Sequence, residues 1–161
     1  MMRRAFFTVM FTAAIAASAA CGSTGSVQQL EFRDISSGYF DEGVVDGENK
    51  IVPLIRFTLH NKGTGPVSSV RLNAIFQIVD ADGPMDEVLA TGIDSSGLPP
   101  QQTSQPIHIR SKIGYKGQQA RAEMLQNSQF KDIKVRIFAK GGSGQWTLVG
   151  EYPIDRKIII N

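Results

Sequence analysis

Four carboxylates lie close together at Asp80, Asp82, Asp86 and Glu87. A hard cation such as Ca²⁺ takes about six to eight oxygens, so a turn this acidic could supply part of such a shell. The spacing then breaks: an EF-hand loop needs a third ligand two residues on, then glycine and a distant glutamate, whereas Gly83 and Pro84 follow here. A turn with solvated carboxylates is the plainer account, and a calcium or small-ligand site at 80–87 stays as the alternative. A second group, Asp41, Glu42, Asp46 and Glu48, is interspersed with Gly43 and Gly47 and reads as a mobile acidic loop. His60 and His108 are the only histidines, and two imidazoles without a carboxylate or thiol make a poor metal site. Ser128 and Lys131 have the S-x-x-K spacing of a nucleophile and its lysine, but the companion S-D-N and K-T-G elements are missing. There is no G-x-S-x-G, H-E-x-x-H or P-loop, and Gly63-Thr64-Gly65 lacks the rest of a dinucleotide fingerprint. No nucleophile is supported by a base, so the chain is expected to be neither an enzyme nor in need of a cofactor.

The one cysteine, Cys21, excludes an internal disulfide and any cysteine-rich metal site. Its position is informative. Arg3 and Arg4 precede an apolar run over 5–17, and Ser18-Ala19-Ala20-Cys21 follows, the layout of a secretory signal. The run is too short to span a bilayer, which takes about 20 apolar residues. Ala17-Ser18-Ala19 fits an ordinary A-x-A cut. The alternative cut falls before Cys21, because Ser18-Ala19-Ala20-Cys21 resembles the lipobox of bacterial lipoproteins, with Ser18 where an aliphatic residue is usual. That resemblance implies that Cys21 is the first mature residue and carries three acyl chains, palmitate among them. Each buried methylene adds ~0.8 kcal/mol, so such an anchor is effectively permanent. Gly22 at the next position implies, by the same resemblance, sorting to the outer membrane with the domain facing the periplasm. Gly22-Ser23-Thr24-Gly25-Ser26 is small and uncharged, as a tether should be. The organisation expected is a signal peptide at 1–20, a lipidated tether at 21–26 and one domain at 27–161.

Those 161 residues, 42% hydrophobic and 20% charged, suffice for a single core. Outside the signal the chain is neutral, which argues against nucleic acid as a partner. Charge is uneven along it, with 11 acidic and five basic residues over 22–100 and four acidic and ten basic over 101–161. Arg110, Lys112, Lys134 and Arg136 belong to the basic half and could form a face for an acidic partner, lipid headgroups or an anionic glycan, unless facing sheets merely mix the signs. Period-two alternation marks seven strands, near 30–33, 52–60, 70–79, 88–93, 107–112, 133–137 and 146–152. The strand at 70–79 is apolar on both parities and is expected to be central and covered on both sides. Trp146, Leu148 and Tyr152 are expected to share one face. Only 117–129 reads as helical, with Ala120, Met124 and Leu125 forming a buried stripe. Ile158, Ile159 and Ile160 end the chain as an apolar run that either completes the last strand or docks a partner by strand addition.

Short strands with turn residues between them predict an all-β antiparallel sandwich of about seven strands, with one short helix before the sixth. Phe57-Thr58-Leu59-His60-Asn61-Lys62-Gly63, Pro66-Val67, Val70 and Asp80-Ala81-Asp82-Gly83 together resemble Ig-like envelope modules of the FxLYD type, common in bacterial lipoproteins. Ile78-Val79-Asp80 stands where that family carries its Tyr-Asp pair. The resemblance implies binding or scaffolding and no shared catalytic residues. The functional expectation is a lipid-anchored periplasmic module that docks an envelope protein through a sheet face or an edge strand.

Overall fold

The structure is a computed structural model that describes residues 24–159. The expected signal peptide, Cys21 and Ile160 lie outside the described residues. Among these, the elements follow in the order α1 (Thr24–Gln28), β1 (Leu30–Val45), β2 (Glu48–Asn61), β3 (Val70–Ile78), β4 (Asp86–Ile93), β5 (Ile107–Arg110), β6 (Tyr115–Gly117), α2 (Arg121–Gln126), β7 (Ile133–Gly141), β8 (Thr147–Pro153) and β9 (Ile158–Ile159). No helix among them is long and apolar enough to cross a membrane.

Two sheets face each other. One has the order β5-β2-β1-β9, with β6 also paired to β2; the other is β4-β3-β7-β8. Setting β9 aside, these are the A-B-E and C′-C-F-G sheets of an Ig-like sandwich, as the strand pattern and the resemblance together predict. The core forms where the inward parities meet. Ile55, Phe57 and Leu59 of β2 face Val70, Leu72, Ala74 and Phe76 of β3 and Ile133, Val135, Ile137 and Ala139 of β7, all buried. β3 is central, but only one of its faces is covered. Asn73 and Ile75 stay partly exposed on the other, and Arg71 is exposed there.

The acidic stretch at 41–48 is not a loose loop. Asp46 and Gly47, with φ of 54° and 82°, form the two-residue turn of the β1–β2 hairpin. Paired positive φ values match the right-handed twist of the flanking strands. The acids are also neutralised: Arg121 pairs with Asp41, Lys50 with Glu42 at 3.0 Å and Lys116 with Asp46 at 2.6 Å. α1 begins at Thr24, inside the stretch read as tether, and Val27 packs into the core. Two further expectations are corrected. α2 spans six residues and buries Met124 and Leu125, while Ala120 is its exposed N-cap. Tyr152 does not share a face with Leu148: the β7–β8 register shifts between Ile137 and Phe138, a bulge that reverses parity. Trp146 and Leu148 are exposed, whereas Val149 and Tyr152 pack against the core.

The chain end departs most from expectation. Instead of extending β8, residues 158–159 cross to the other sheet and run parallel to β1, pairing Tyr39 with Ile158 and Phe40 with Ile159. The Tyr39 N–H donates to Lys157 O at 2.8 Å. The Ser37 hydroxyl donates to Pro153 O at 2.7 Å and accepts from the Asp155 N–H at 3.2 Å, fixing the crossing. Ile159 is buried because Gly38 leaves room for it: an added Cβ at 38 would lie 2.7 Å from Ile159 Cγ1.

Candidate functional site

Each sheet also has an outer face, and the two differ. On the β1-β2-β5 sheet the outward residues Val52 and Leu54 are buried despite their parity. Gly114 passes so close that an added Cβ would fall 2.8 Å from Val52 Cγ1, and Phe40 and Arg110 line the shallow pocket over Leu54. The Arg110 guanidinium lies 4.8 Å from the Phe40 ring centroid and 3.8 Å from Glu42. The apolar part of this face is therefore already covered by its own chain.

The outer face of β4-β3-β7-β8 is open. In register across it run Leu89, Asn73, Phe138 and Leu148, then Glu87, Ile75, Arg136 and Glu151 in the next row. Leu89 is 64% exposed and Leu148 52% exposed, with Phe138 and Ile75 half-buried between the polar neighbours. Local sequence builds this row. Val88 and Ala90 of β4 point inward and leave Leu89 outward, and Ile137 and Ala139 of β7 do the same for Phe138. The bulge at Val149 carries Leu148 to the same side. Solvated sheet faces usually carry polar residues, so three large apolar side chains in one row across strands are notable.

The charges around this row are asymmetric. Glu87 accepts from Asn73 Nδ2 at 2.7 Å, and Glu151 is 3.4 Å from Lys134. Arg71, Arg136 and Lys140 have no ion-pair partner among the described residues. Arg136 lies over Phe138, 5.9 Å from its ring centroid, with its buried Nε unbonded, and Lys140 Nζ is 5.1 Å from the Trp146 ring. The outcome is an apolar strip with unspent positive charge, suited to a surface that offers carboxylates beside apolar groups.

The sequence-derived candidates fall in separate places. Lys134 and Arg136 are on this face, but Arg110 is on the opposite sheet and Lys112 follows it in a loop, so the four do not form one basic face. β5 and β7 belong to different sheets whose outer faces point apart, so charge in one stretch of sequence is divided in space. Ile158 and Ile159 are engaged with β1 and do not form a free apolar end.

The carboxylates of Asp80, Asp82, Asp86 and Glu87 do not converge either, and no three His, Cys, Asp or Glu residues gather as a metal site among the described residues. Asp86 and Glu87 point to opposite sides of β4. Asp86 accepts from the Ser111 hydroxyl and the Lys112 N–H, both at 2.8 Å, bridging the two sheets. Burial works against its charge, but those hydrogen bonds outweigh it and hold the carboxyl below its ordinary value. His60 Nδ1 lies 3.0 Å from Thr103 Oγ1, while His108 pairs with Arg56 farther along β2, so the histidines stand apart. Ser128 and Lys131 are both exposed in the connection from α2 to β7.

Leu89, Ile75, Phe138, Arg71 and Lys140 were not among the sequence candidates. Their signal was a large apolar residue on the polar parity of neighbouring strands.

No family model matches the chain, and no curated protein matches it. Among solved structures it is similar to the X-ray structure of Northeast Structural Genomics Consortium target SoR45, at 11% identity over 79% of this chain and 86% of that one, with a TM-score of 0.45.

Proposed function

We propose that this chain is a non-enzymatic, lipid-anchored module of the bacterial envelope that docks a protein partner on the open face of its four-stranded sheet. Acylated Cys21 fixes it at the outer membrane, on the periplasmic side, and tethering raises its concentration near envelope partners. The reading rests chiefly on the row Leu89, Phe138 and Leu148, left uncovered beside Arg71 and Arg136. The partner it suits presents acidic and apolar side chains together. Strand addition at the Ile158–Ile159 end is the less favoured route, because those residues already pair within the chain.

Photo-crosslinking in membranes tests this. A crosslinker at position 89 should trap a partner that one at His108, exposed on the opposite sheet, does not. Leu89→Asp and Arg136→Glu should each lower capture about tenfold, equivalent to ~1.4 kcal/mol, without changing the melting temperature. Equal trapping from both faces would refute the docking face. A mature N-terminal peptide beginning at Ala20, with Cys21 as an unmodified thiol, would refute the anchor.

A further inference from the structure

The two ends of the sandwich are unlike. At one end α1 packs on β7, the Lys62 N–H donates to Gln29 O at 2.9 Å, and the Gly142 N–H donates to Ser69 O at 3.0 Å. These contacts join the start of the domain, the β2–β3 loop and the β7–β8 hairpin into one surface. Trp146 stands at its rim, 39% exposed, with Lys140 over its ring. Neither connecting segment, 62–69 or 142–146, contains an acid, and α1 carries no charge, while Lys62 and Arg71 are exposed there. Of the acids near this end, Glu31 is paired with Arg33, and Asp94 of the neighbouring β4–β5 loop is exposed and accepts from the Ser96 N–H at 2.9 Å.

We infer that this end of the domain lies on an anionic lipid surface, with Trp146 at the interface and Lys62 and Lys140 toward the headgroups. The inference rests on the anchoring of Cys21 proposed above. Only residues 22 and 23 separate Cys21 from Thr24, and fully extended the step from 21 to 24 spans about 10 Å. An acyl group at Cys21 therefore holds α1 within about a headgroup layer's thickness of the bilayer. The surface brought down with it has the composition interfaces select: an indole with an apolar body and a polar N–H, and lysines whose stems can lie flat while their ammonium groups stay hydrated. The strands then stand upright, and the Leu89–Phe138 face looks sideways, open to a partner.

Trp146 is the only tryptophan, so its fluorescence reports this contact without labelling. The full mature chain, isolated from membranes, is reconstituted into vesicles of phosphatidylethanolamine and phosphatidylglycerol, with and without brominated acyl chains. Expected are co-flotation, quenching of Trp146 by the brominated chains, and protection from aqueous iodide. Lys62→Gln and Lys140→Gln should each reduce the docked-to-undocked ratio about fivefold, and replacing phosphatidylglycerol with phosphatidylcholine, which removes both attractions, about 25-fold. Flotation with an unquenched, iodide-accessible Trp146 overturns the docking and leaves the anchor standing. Failure to float, with a free thiol at Cys21, overturns both. Protection from iodide that needs a co-purifying protein and not the lipid assigns Trp146 to a protein contact and also overturns it.

Discussion

Gly38→Ala tests whether β9 closes the sheet edge or merely rests on it. The new Cβ would sit 2.7 Å from Ile159 Cγ1 and 2.7 Å from Lys157 O, closer than real Cβ atoms approach. The isoleucine could turn, but a backbone carbonyl oxygen cannot, so β9 must lift. Lifting it breaks the Tyr39–Lys157 hydrogen bond, a loss of about 1 kcal/mol. It also exposes Ile159, costing about 2 kcal/mol of the ~1.5–3 for a fully buried side chain. Alanine returns about 0.5–1 kcal/mol over glycine within a strand. The net expectation is a destabilisation of about 2 kcal/mol in urea unfolding, with a drop of about 6 °C in Tm. Amide exchange gives an independent reading, because the Tyr39 N–H should lose its protection. In the Gly38→Ala background, Ile159→Ala should add little, since the contact is already gone. A Gly38→Ala variant as stable as the parent, with Tyr39 still protected, would refute the reasoning.

Three further outcomes follow from the described contacts. The Tyr39 hydroxyl is buried without a partner while its ring packs edge-on against Phe130 at 5.1 Å, so Tyr39→Phe should raise stability by about 1 kcal/mol in denaturant titration. Asp86 is held below its ordinary value, so its contribution is complete above the normal aspartate range and is lost as pH falls through the depressed folded value. Asp86→Asn should lower stability at neutral pH and flatten the acid side of the stability profile, measured by unfolding at stepped pH. Because the carboxylates of Asp80, Asp82, Asp86 and Glu87 point apart, millimolar Ca²⁺ should leave Tm unchanged; a rise of several degrees would restore a site there.

The sequence patterns were legible where a strand buries one face and wets the other. Ile55, Phe57 and Leu59 against Arg56 and Thr58 show this, as does Ile133, Val135 and Ile137 in β7. They failed where the chain covers the second face of its own sheet. Ser37, Gly38 and Tyr39 are buried in succession because Ile159 lies over Gly38, and 51–55 are all buried because Gly114, Phe40 and Arg110 close over Val52 and Leu54. Period two vanishes there, and β1 reads as a strand only near 30–33 and as an acidic loop over 41–48. Asp46-Gly47 was a readable hairpin signal, hidden within a stretch that looked merely acidic. The bulge at Val149 was not readable, since one extra residue reverses parity without changing composition. The open face of the four-stranded sheet was half legible: Lys134 and Arg136 could be named, but the row joining Leu89 to Phe138 and Leu148 exists only once the strands are paired.

The parallel pairing of β9 with β1 has a mechanical consequence. β1 leaves the end that holds α1 and runs away from it, and β9 points the same way. Tension between Thr24 and Ile159 therefore pulls the two strands along their length in opposite senses. Their bonds are loaded in shear and share the force, where an antiparallel edge pulled from its open end would unzip one rung at a time. A chain held at Thr24 and pulled at Ile159 would thus resist rupture along the β1–β9 edge.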